Sequence, residues 1–472
     1  MPPAASLAAP LADAPELARV GAGALRTGYA SGAISPVEVA EAVLDRAEAI
    51  DPAFNAFTRI DRAGALEAAA ASRKRWRDGS PLSEVDGIPA TLKDIVWVEG
   101  WSVRYGSTTT SSKPYEADAP AVRLLREAGC VFIGQTTTPE FGWKAITDSA
   151  LCGVTRNPHD PSKTPGGSSG GAAVAAAAGA GVFHLGTDGG GSIRVPAAFS
   201  GIVGLKPTFG RVPAFPASAF GTVAHLGPMA RSVSDTAAML RAMSGRSPQD
   251  WAQGPGALAP LDAAPAELAG LTFGYWSEPP VGTVDPEVRA SVERAIEALR
   301  AAGARVEPVA LPGEDLLDIF HHHWFSGAAA RLAQVPADAR GAIDPGFLDI
   351  ARQGAAFGAA DLVAAQVKRA EFGAAMDRLL AGLDGLLSPG AAIPAFGAGL
   401  EVPADGPYRR WTEWAGFSFP INLSQQPALV LPCGLTAGGL PVGLQIVGAR
   451  GEDAKVLAIG EAAERILSGL PA

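Results

Sequence analysis

The sequence predicts an α/β fold in which helices are layered around short buried strands. Helical segments with one apolar face alternate along the chain with short apolar runs, and a glycine often separates the two. Of the 472 residues, 47% are hydrophobic and only 18% are charged, which is enough apolar material for a large core. The 57 glycines and 39 prolines stay below the level typical of low-complexity disorder. These observations indicate a globular α/β chain.

The clearest helix start lies near the N-terminus. Ser35 can cap the helix, Pro36 suits its first position, and Glu38 completes a capping box. Residues 1–15 are rich in alanine and proline, and we expect them to be loose. Residues 250–265 have a similar composition and predict a connecting loop.

Two helix–glycine–strand units follow the same pattern. One covers residues 119–133 with Gly129 at the end of its helix, and the other covers residues 285–306 with Gly303 there. Two apolar runs within residues 428–447, separated by a glycine pair, predict a β-hairpin. These units are the basis of the α/β assignment.

The middle of the chain, residues 145–210, is rich in Gly, Ser and Thr, yet it does not have the pattern of a linker. Two glycine-rich loops, residues 166–171 and 186–192, are joined by an alanine-rich helix and a strand. Glycine adopts backbone shapes that other residues avoid and leaves amide N–H groups accessible. This arrangement indicates a site built largely from backbone.

The charge and hydropathy of the chain exclude several classes of partner. A net charge of -10 and the absence of a basic run argue against nucleic acid, which binds clustered Lys and Arg. No stretch reaches the roughly 18 apolar residues that a membrane helix needs. The N-terminus lacks the positive region of a signal peptide, since its first basic residue is Arg19. We therefore expect a cytoplasmic protein without a membrane partner.

The spacing of Cys and His does not match a disulfide framework or a metal site. Cys130, Cys152 and Cys433 are far apart and odd in number, and we expect them to be small buried hydrophobes. The histidine run 321–323 cannot direct three imidazoles to one helical face, since neighbours point about 100° apart. No P-loop or dinucleotide fingerprint is present, so we expect neither a metal nor a cofactor.

One serine motif points to a histidine-dependent enzyme. Residues 166–170 match G-x-S-x-G, the nucleophile elbow of α/β-hydrolases. That elbow needs a preceding strand, whereas residues 157–165 have the composition of a loop. It also needs a later acid followed by a histidine, for which only His225 or the run 321–323 are available. A histidine-dependent α/β-hydrolase stays an alternative.

Ser192 and Lys93 indicate a different chemistry. Ser192 follows three glycines whose amides could converge on an oxyanion, and each such donor contributes about 2.7–4 kcal/mol in the transition state. Lys93 lies in an apolar, strand-like run, residues 86–96, where burial would favour loss of its proton. The residues alone leave open whether Lys93 is a base for serine or is paired with Asp94 at a strand end.

Longer motifs resemble those of the amidase signature family of serine hydrolases. Residues 164–199 contain G-G-S-S-G-G and G-T-D-G-G-G-S-I-R-x-P-A, and Lys93 lies in G-I-P-x-x-x-K-D, as in that family. The likeness is strong over residues 85–240 and thin over residues 245–410. Further family phrases match at residues 204–208, 227–231 and 439–445.

The resemblance implies one amidase domain over residues 1–472, with a large central mixed β-sheet surrounded by helices. Residues 245–410 would be its variable, specificity-setting region. The implied triad has Ser192 as nucleophile, Ser168 as proton relay and Lys93 as neutral base, and the Gly167–Ser168 peptide bond is expected to be cis. The implied oxyanion hole consists of the amides of Gly189, Gly190, Gly191 and Ser192.

Residues around the triad are given supporting roles by the same resemblance. Asp188 and Arg194 are expected to brace the serine loop, while Ser169 and Thr187 shape it and bond its backbone. Two positions depart from the family pattern. Gly189 stands where the family more often has a larger residue, which predicts a more mobile loop. Gln425 stands where glycine is common, which predicts an altered pocket wall.

The same motifs narrow the substrate. Amidotransferase subunits that act on charged tRNA usually have an aspartate in the segment equivalent to residues 222–229, and this chain has none there. We expect a stand-alone hydrolase that forms an acyl-enzyme from a small to medium, neutral, apolar or aryl amide, anilide or carbamate. A glutamine-amidase subunit of an amidotransferase assembly stays an alternative.

Aromatic side chains predict the pocket wall. Phe141 and Trp143 are candidate substrate-binding residues, together with aromatic residues of the poorly matched region 320–420. The partner that we expect is the small-molecule amide itself, with a homodimer as an option.

Overall fold

The computed structural model describes residues 6–254, 258–261 and 267–469. Within these residues, eleven strands form one sheet in the order β1-β3-β2-β6-β8-β7-β12-β13-β11-β9-β10, and β4 and β5 form a separate ribbon. The strands are β1 (Phe57–Ile60), β2 (Pro89–Lys93), β3 (Val131–Thr136), β4 (Asp148–Ser149), β5 (Gly153–Val154), β6 (Phe183–Asp188), β7 (Val203–Lys206), β8 (His225–Ala230), β9 (Thr272–Tyr275), β10 (Arg305–Pro308), β11 (Gly385–Pro389), β12 (Ala428–Leu435) and β13 (Pro441–Val447).

The large sheet is mixed, as the resemblance implies. Strand β2 is parallel to both β3 and β6, and β9 is parallel to β10 and β11. The remaining neighbours are antiparallel, including β12 and β13, which form the predicted C-terminal hairpin. The predicted α/β fold with a central mixed sheet is confirmed.

Helices surround this sheet. In the described residues they are α1 (Glu16–Arg19), α2 (Ala22–Ser31), α3 (Pro36–Phe54), α4 (Arg62–Arg77), α5 (Pro120–Glu127), α6 (Gly170–Ala177), α7 (Arg194–Ser200), α8 (Val233–Met243), α9 (Pro286–Ala301), α10 (Leu316–Ala333), α11 (Pro345–Ala355), α12 (Ala359–Leu380), α13 (Phe419–Ser424) and α14 (Asp453–Leu467). None of the helices in this part of the chain combines the length and the apolar character needed to cross a membrane.

The predicted local signals correspond to real element boundaries. The Ser35 hydroxyl accepts the Val37 N–H, and the Ser35 N–H donates to the Glu38 carboxylate at 2.9 Å, which completes the capping box of α3. Helix α5 ends just before Gly129 and is followed by β3, and helix α9 ends just before Gly303 and is followed by β10. These predictions are confirmed.

Two predicted loose segments lie partly outside the described residues. Residues 1–5 are outside, but from residue 6 the N-terminal segment contacts the core: Ala14 is buried and Arg46 Nη2 donates to the Pro10 carbonyl at 2.7 Å. Of the predicted loop 250–265, residues 255–257 and 262–265 are outside. The part that is described includes a short 3-10 helix, Trp251–Gln253.

The three cysteines are unpaired, as their spacing predicts. Cys130 and Cys433 are buried. Burial raises the pKa of the Cys130 thiol well above its usual range and raises the pKa of the Cys433 thiol to about 12. Cys152 is half-buried rather than buried.

Two neighbouring strands of the sheet bring Lys93 and a glycine-rich loop together. Strands β2 and β6 are parallel neighbours, with Thr91 paired to His184 and Leu92 to Leu185. Their carboxyl ends therefore meet at one edge of the sheet, where Lys93 ends β2 and the glycine loop leaves β6. The other glycine loop enters α6, every residue of which is buried. The fold thus places both loops around the end of β2.

Candidate active site

Lys93 is fully buried at the end of β2 and is surrounded by hydroxyl groups. Its Nζ lies 2.7 Å from Ser168 Oγ, 2.9 Å from Ser169 Oγ and 2.8 Å from Thr187 Oγ1. These three contacts hold the amine at the base of both glycine loops. The sequence assigned Ser169 and Thr187 only to loop shape, so their contact with the amine is a finding of the structure.

The alternative in which Lys93 pairs with Asp94 is excluded. The Asp94 carboxylate accepts the backbone N–H groups of Arg104 at 2.8 Å and Gly106 at 3.3 Å. Within the described residues Lys93 makes no salt bridge with any acidic side chain. Burial therefore lowers the pKa of Lys93 well below its ordinary value, with only a partial opposing effect from the more distant charge of Asp188.

Ser168 lies between the amine and the cavity. The Gly167–Ser168 peptide bond is cis, as expected from the resemblance. A side chain at position 167 has no room, since a Cβ there would lie 2.3 Å from the Ile146 carbonyl oxygen. Ser168 thus contacts Lys93 on one side and lines a cavity on the other.

Ser192 lines the same cavity as Ser168 and is 6% exposed. Its backbone is fixed to the other loop, because its carbonyl accepts the Ser169 N–H at 3.2 Å. The implied role of Ser168 as proton relay requires hydrogen bonds from Lys93 to Ser168 and from Ser168 to Ser192. Only the first is present, because no hydrogen bond joins the Ser168 and Ser192 hydroxyls in the described part of the chain. Hydrogen bonds between catalytic groups are often long in the absence of substrate and become shorter in the enzyme–substrate complex. Each serine hydroxyl can make this change by rotation about one side-chain torsion.

In the glycine loop before Ser192, some backbone N–H groups are free to bind a ligand and one is not. The Gly191 N–H donates to Asp188 Oδ1 at 2.8 Å, so the expectation that Gly191 binds an oxyanion is corrected. Among the described residues, the N–H groups of Gly189, Gly190 and Ser192 have no protein acceptor. These three amides are the ones that the loop leaves available to a ligand.

A buried ion pair braces this loop, as expected. Arg194 Nε lies 2.9 Å from Asp188 Oδ2, and both side chains are fully buried. Arg194 also donates to Gln445 and Asn422, and Asn422 Nδ2 in turn donates to Asp188 Oδ1 at 2.9 Å. Burial alone would raise the pKa of Asp188, but the charge and hydrogen bonds of Arg194 hold it below its usual range. Sequence reasoning missed Asn422, which lies 234 positions away.

Aromatic rings fill the space beside the glycines of this loop. A Cβ on Gly189 would lie 2.7 Å from the Trp324 ring, and a Cβ on Gly190 would lie 2.7 Å from Trp411 and 2.8 Å from Phe320. Trp324 therefore occupies the space that a larger residue at position 189 would need. The departure at Gly189 is explained by packing and gives no sign of the predicted mobility.

Gly190→Ala is expected to move this loop and to destabilise the fold. The added methyl must displace two rings, which costs about 1–3 kcal/mol, and a shift of the Gly190 amide by about 1 Å lowers kcat by about 100-fold. The matched control is Gly373→Ala in α12, where the new Cβ would meet no atom within 4 Å apart from its chain neighbours and the backbone of its own helix, and helix propensity predicts a gain of about 1 kcal/mol. Urea unfolding and initial rates on one amide measure both effects. Equal behaviour of the two variants would contradict the packing account.

The cavity beside the two serines has a volume of about 700 Å³. Its aromatic lining consists of Trp97, Tyr105, Tyr115, Phe141, Phe209, Phe215, Phe220 and Trp324. Phe141 is therefore on the wall, as expected. Trp143 is not, because its ring is buried in the core and its carbonyl accepts the Trp324 N–H at 3.1 Å. Trp143 therefore contacts the cavity wall through Trp324 without lining the cavity.

Gln425 does not line the cavity itself but is hydrogen-bonded to a residue that does. Its φ of 68° lies in the left-handed region, which accounts for the frequent glycine at this position in the family. Its side-chain amide donates to the Thr222 carbonyl at 3.1 Å, and Thr222 lines the cavity. The expected change to the pocket wall is thus an added hydrogen bond to one of its residues.

The histidines do not form a base for either serine. His225 lines the cavity, but its Nδ1 lies 2.8 Å from the Val223 carbonyl, and burial lowers its pKa well below the ordinary value. His321, in α10, contacts Thr412, and burial lowers its pKa to about 4. In the described residues no histidine is hydrogen-bonded to Ser168 or Ser192. This geometry argues against the histidine-dependent alternative.

Comparison with known proteins identifies the family of this chain. The family model described as Amidase matches residues 38–457, which is nearly the whole chain. The chain belongs to the amidase signature family. One solved relative in the family, a bacterial aryl acylamidase, has a TM-score of 0.87 and 27% sequence identity, with 96% of this chain and 99% of that chain covered.

Curated relatives within the family carry two kinds of name. A glutamyl-tRNA(Gln) amidotransferase subunit of Myxococcus xanthus is 37% identical over 466 residues, with 92% of this chain and 95% of that protein covered. An acylamidase of Rhodococcus erythropolis is 33% identical over 441 residues, with 91% of each chain covered. Amidase family membership therefore leaves the substrate to be argued from the cavity.

Proposed function

We propose that this protein hydrolyses amide bonds through an acyl-enzyme on Ser192, with Ser168 and Lys93 as its proton-transfer pair. The observation that carries the proposal is the buried Lys93, held 2.7 Å from Ser168 Oγ without an acidic partner in the described residues. Amide-bond hydrolysis is the activity of the family to which the chain belongs. The contacts of Lys93 and Ser168 support the roles that we assign to them.

Burial favours the neutral form of Lys93, and its hydrogen bonds allow the neutral amine to face Ser168. A neutral amine has two N–H groups and one lone pair. The Ser169 hydroxyl donates to the Thr187 carbonyl at 3.2 Å, so it accepts from Lys93, and Thr187 Oγ1 accepts the second N–H. The lone pair is then left to accept the proton of the Ser168 hydroxyl.

The acylation step follows from this arrangement. Ser192 Oγ attacks the carbonyl carbon of the amide while its proton passes to Ser168 Oγ, and the Ser168 proton passes to Lys93 Nζ. The negative charge moves to the carbonyl oxygen, where the free N–H groups of Gly189, Gly190 and Ser192 can bind it. When the tetrahedral intermediate collapses, the carbon–nitrogen bond breaks and the leaving amine takes the proton back through Ser168.

Hydrolysis of the acyl-enzyme uses the same groups. A water molecule attacks the ester carbonyl and gives its proton to Lys93 through Ser168. The Ser192–acyl bond then breaks, Ser192 Oγ regains a proton, and the carboxylic acid leaves. No other group is required for the two half-reactions.

The cavity supports a substrate with an apolar or aryl group. Its wall contains eight aromatic side chains, and about 700 Å³ accommodates a small to medium molecule. The substrates that we propose are anilides, alkyl or aryl amides and carbamates. The solved aryl acylamidase and the curated acylamidase support this class by their names.

A second candidate function is that of a glutamine-amidase subunit, which the name of the 37% identical relative favours. The cavity gives it less support. In the segment 222–229, which lines the cavity through Thr222, Ala224, His225 and Leu226, there is no acidic residue for the ammonium group of glutamine. Asp250 lines the cavity, but its carboxylate accepts the N–H groups of Ala214 and Ala252.

A substrate panel tests the choice between these two functions. The purified chain alone is expected to hydrolyse anilides and aryl carbamates with a kcat/KM at least about 100-fold above that for glutamine, because glutamine leaves the aromatic wall unused. Released amine and ammonia are measured under the same conditions. A preference for glutamine would contradict the proposal, and so would a chain that is idle until further proteins of an amidotransferase assembly are added.

A further inference from the structure

The cavity wall contains an arginine that takes no part in the proposed chemistry. Arg331, in the last turn of α10, lines the cavity together with Ser168 and Ser192. Its guanidinium carbon lies 4.6 Å from the centre of the Phe141 ring and 4.9 Å from the centre of the Tyr105 ring. These cation–π contacts hold the charged group at a defined place on the wall.

No acidic side chain of the described residues forms an ion pair with Arg331. Within the described residues Arg331 makes no salt bridge, and its side-chain hydrogen bond goes from Nη1 to the neutral Gln334 side chain at 3.0 Å. The carboxylate of Asp250, which also lines the cavity, accepts two backbone N–H groups at 2.8 and 2.9 Å. An arginine with free N–H groups on a cavity wall that also contains aromatic rings is suited to bind an anion that a ligand supplies.

The two aromatic residues that contact Arg331, Phe141 and Tyr105, lie next to the site of Ser168. Phe141 and Tyr105 have positive φ angles of 54° and 55°, and the Phe141 N–H donates to the Tyr105 carbonyl at 2.7 Å. Bulky residues adopt this conformation only where their surroundings enforce it. The next residue, Gly142, touches the site, since a Cβ there would lie 3.3 Å from Ser168 Oγ. Arg331 and Ser168 are therefore parts of one wall.

We propose that Arg331 binds a carboxylate that the substrate carries at a distance from its scissile amide. The inference rests on the proposed amide hydrolysis and narrows its substrates to amides in which an aryl or alkyl spacer joins the reacting bond to an acid group. The planar guanidinium pairs with a carboxylate in two-point fashion, and the aromatic wall contacts the spacer. The neutral substrate expected from sequence is thereby replaced by one with a single distant negative charge.

Two matched substrate pairs test the role of Arg331. 4-Acetamidobenzoate is compared with 4-acetamidotoluene, and glutaranilate is compared with valeranilide, with release of the arylamine as the readout. The wild type is expected to prefer the acid in at least one pair. In that pair Arg331→Gln should lower kcat/KM for the acid by about 10- to 100-fold and change the neutral partner by less than about threefold. Arg331→Lys should retain part of the preference, because it keeps the charge.

The controls separate this inference from a structural role and from the proposed function. Arg352→Gln, on the exposed face of α11, should leave both members of a pair unchanged. In the wild type, added salt should weaken the preference for the acid and spare the neutral substrate, so the test does not depend on the folding of a variant. An equal loss for acid and neutral substrates in Arg331→Gln, or a wild-type preference for the neutral member of both pairs, would overturn the inference. Failure to hydrolyse any of the four compounds would instead count against the proposed function.

Discussion

Ser192→Ala and Lys93→Met are each expected to lower kcat/KM for an amide by on the order of 10⁵-fold without unfolding the protein. In the proposed mechanism Ser192 supplies the atom that attacks, and Lys93 removes its proton through Ser168, which lies 2.7 Å from the amine. Methionine fills a volume close to that of lysine and places no charge in the interior. Initial rates together with far-UV circular dichroism check both parts of the expectation.

The combination of these changes distinguishes a triad from independent residues. The double variant should be no slower than the worse single variant, because the groups act as a unit. Ser168→Ala is expected to be severe but less complete, since a water can relay the proton. His225→Ala should lower kcat by less than about tenfold, because its Nδ1 is bound to the Val223 carbonyl. Loss of activity in His225→Ala with retention in Lys93→Met would reinstate the histidine-dependent alternative.

Arg194→Met is expected to destabilise the fold by about 3–5 kcal/mol and to abolish activity. The change leaves the Asp188 carboxylate fully buried without its counter-charge, although the same carboxylate still accepts the Gly191 N–H at 2.8 Å. The pKa of Asp188 would then rise, and the loop that holds Ser192 would lose its brace. Urea unfolding at pH 7 measures the loss of stability.

A surface ion pair provides the matched control for this prediction. Arg123→Met breaks the pair between Arg123 and Glu127, whose side chains are 42% and 58% exposed, and should cost less than about 1 kcal/mol. Adding Asp188→Asn to Arg194→Met should recover part of the stability, because the buried negative charge is removed. If Arg194→Met and Arg123→Met had the same effect, the pair would not be the brace described above.

Local signals in the sequence predict the parts of the fold that depend on neighbouring residues. The capping box of Ser35 and Glu38 depends on residues three positions apart, and it is present as predicted. The helix ends at Gly129 and Gly303 have the same local origin, since both glycines have positive φ angles. The length of the family motifs allows Lys93, Ser168 and Ser192 to be placed together from the sequence.

Contacts between distant segments explain what the sequence could not predict. The Gly191 amide has the same sequence context as its neighbours, and only the three-dimensional turn directs it to Asp188. Asn422 reaches Asp188 from 234 positions away, and no pattern in the chain marks that pairing. Trp143 and Phe141 are two positions apart, yet one is buried behind the wall and the other lines the cavity.

The attachment point of the acyl group is the most direct test of the proposed chemistry. An aryl ester or anilide is mixed with the protein, the reaction is stopped in acid within the first turnover, and the acylated peptide is identified by mass spectrometry. The acyl group is expected on Ser192, and its rate of attachment should rise with pH as Lys93 loses its proton, because burial has lowered the pKa of that amine. In Lys93→Met the same site should be acylated far more slowly at every pH. An acyl group on Ser168 or on a histidine, or an acylation rate in Lys93→Met equal to that of the wild type, would contradict the assignment of Ser192, Ser168 and Lys93.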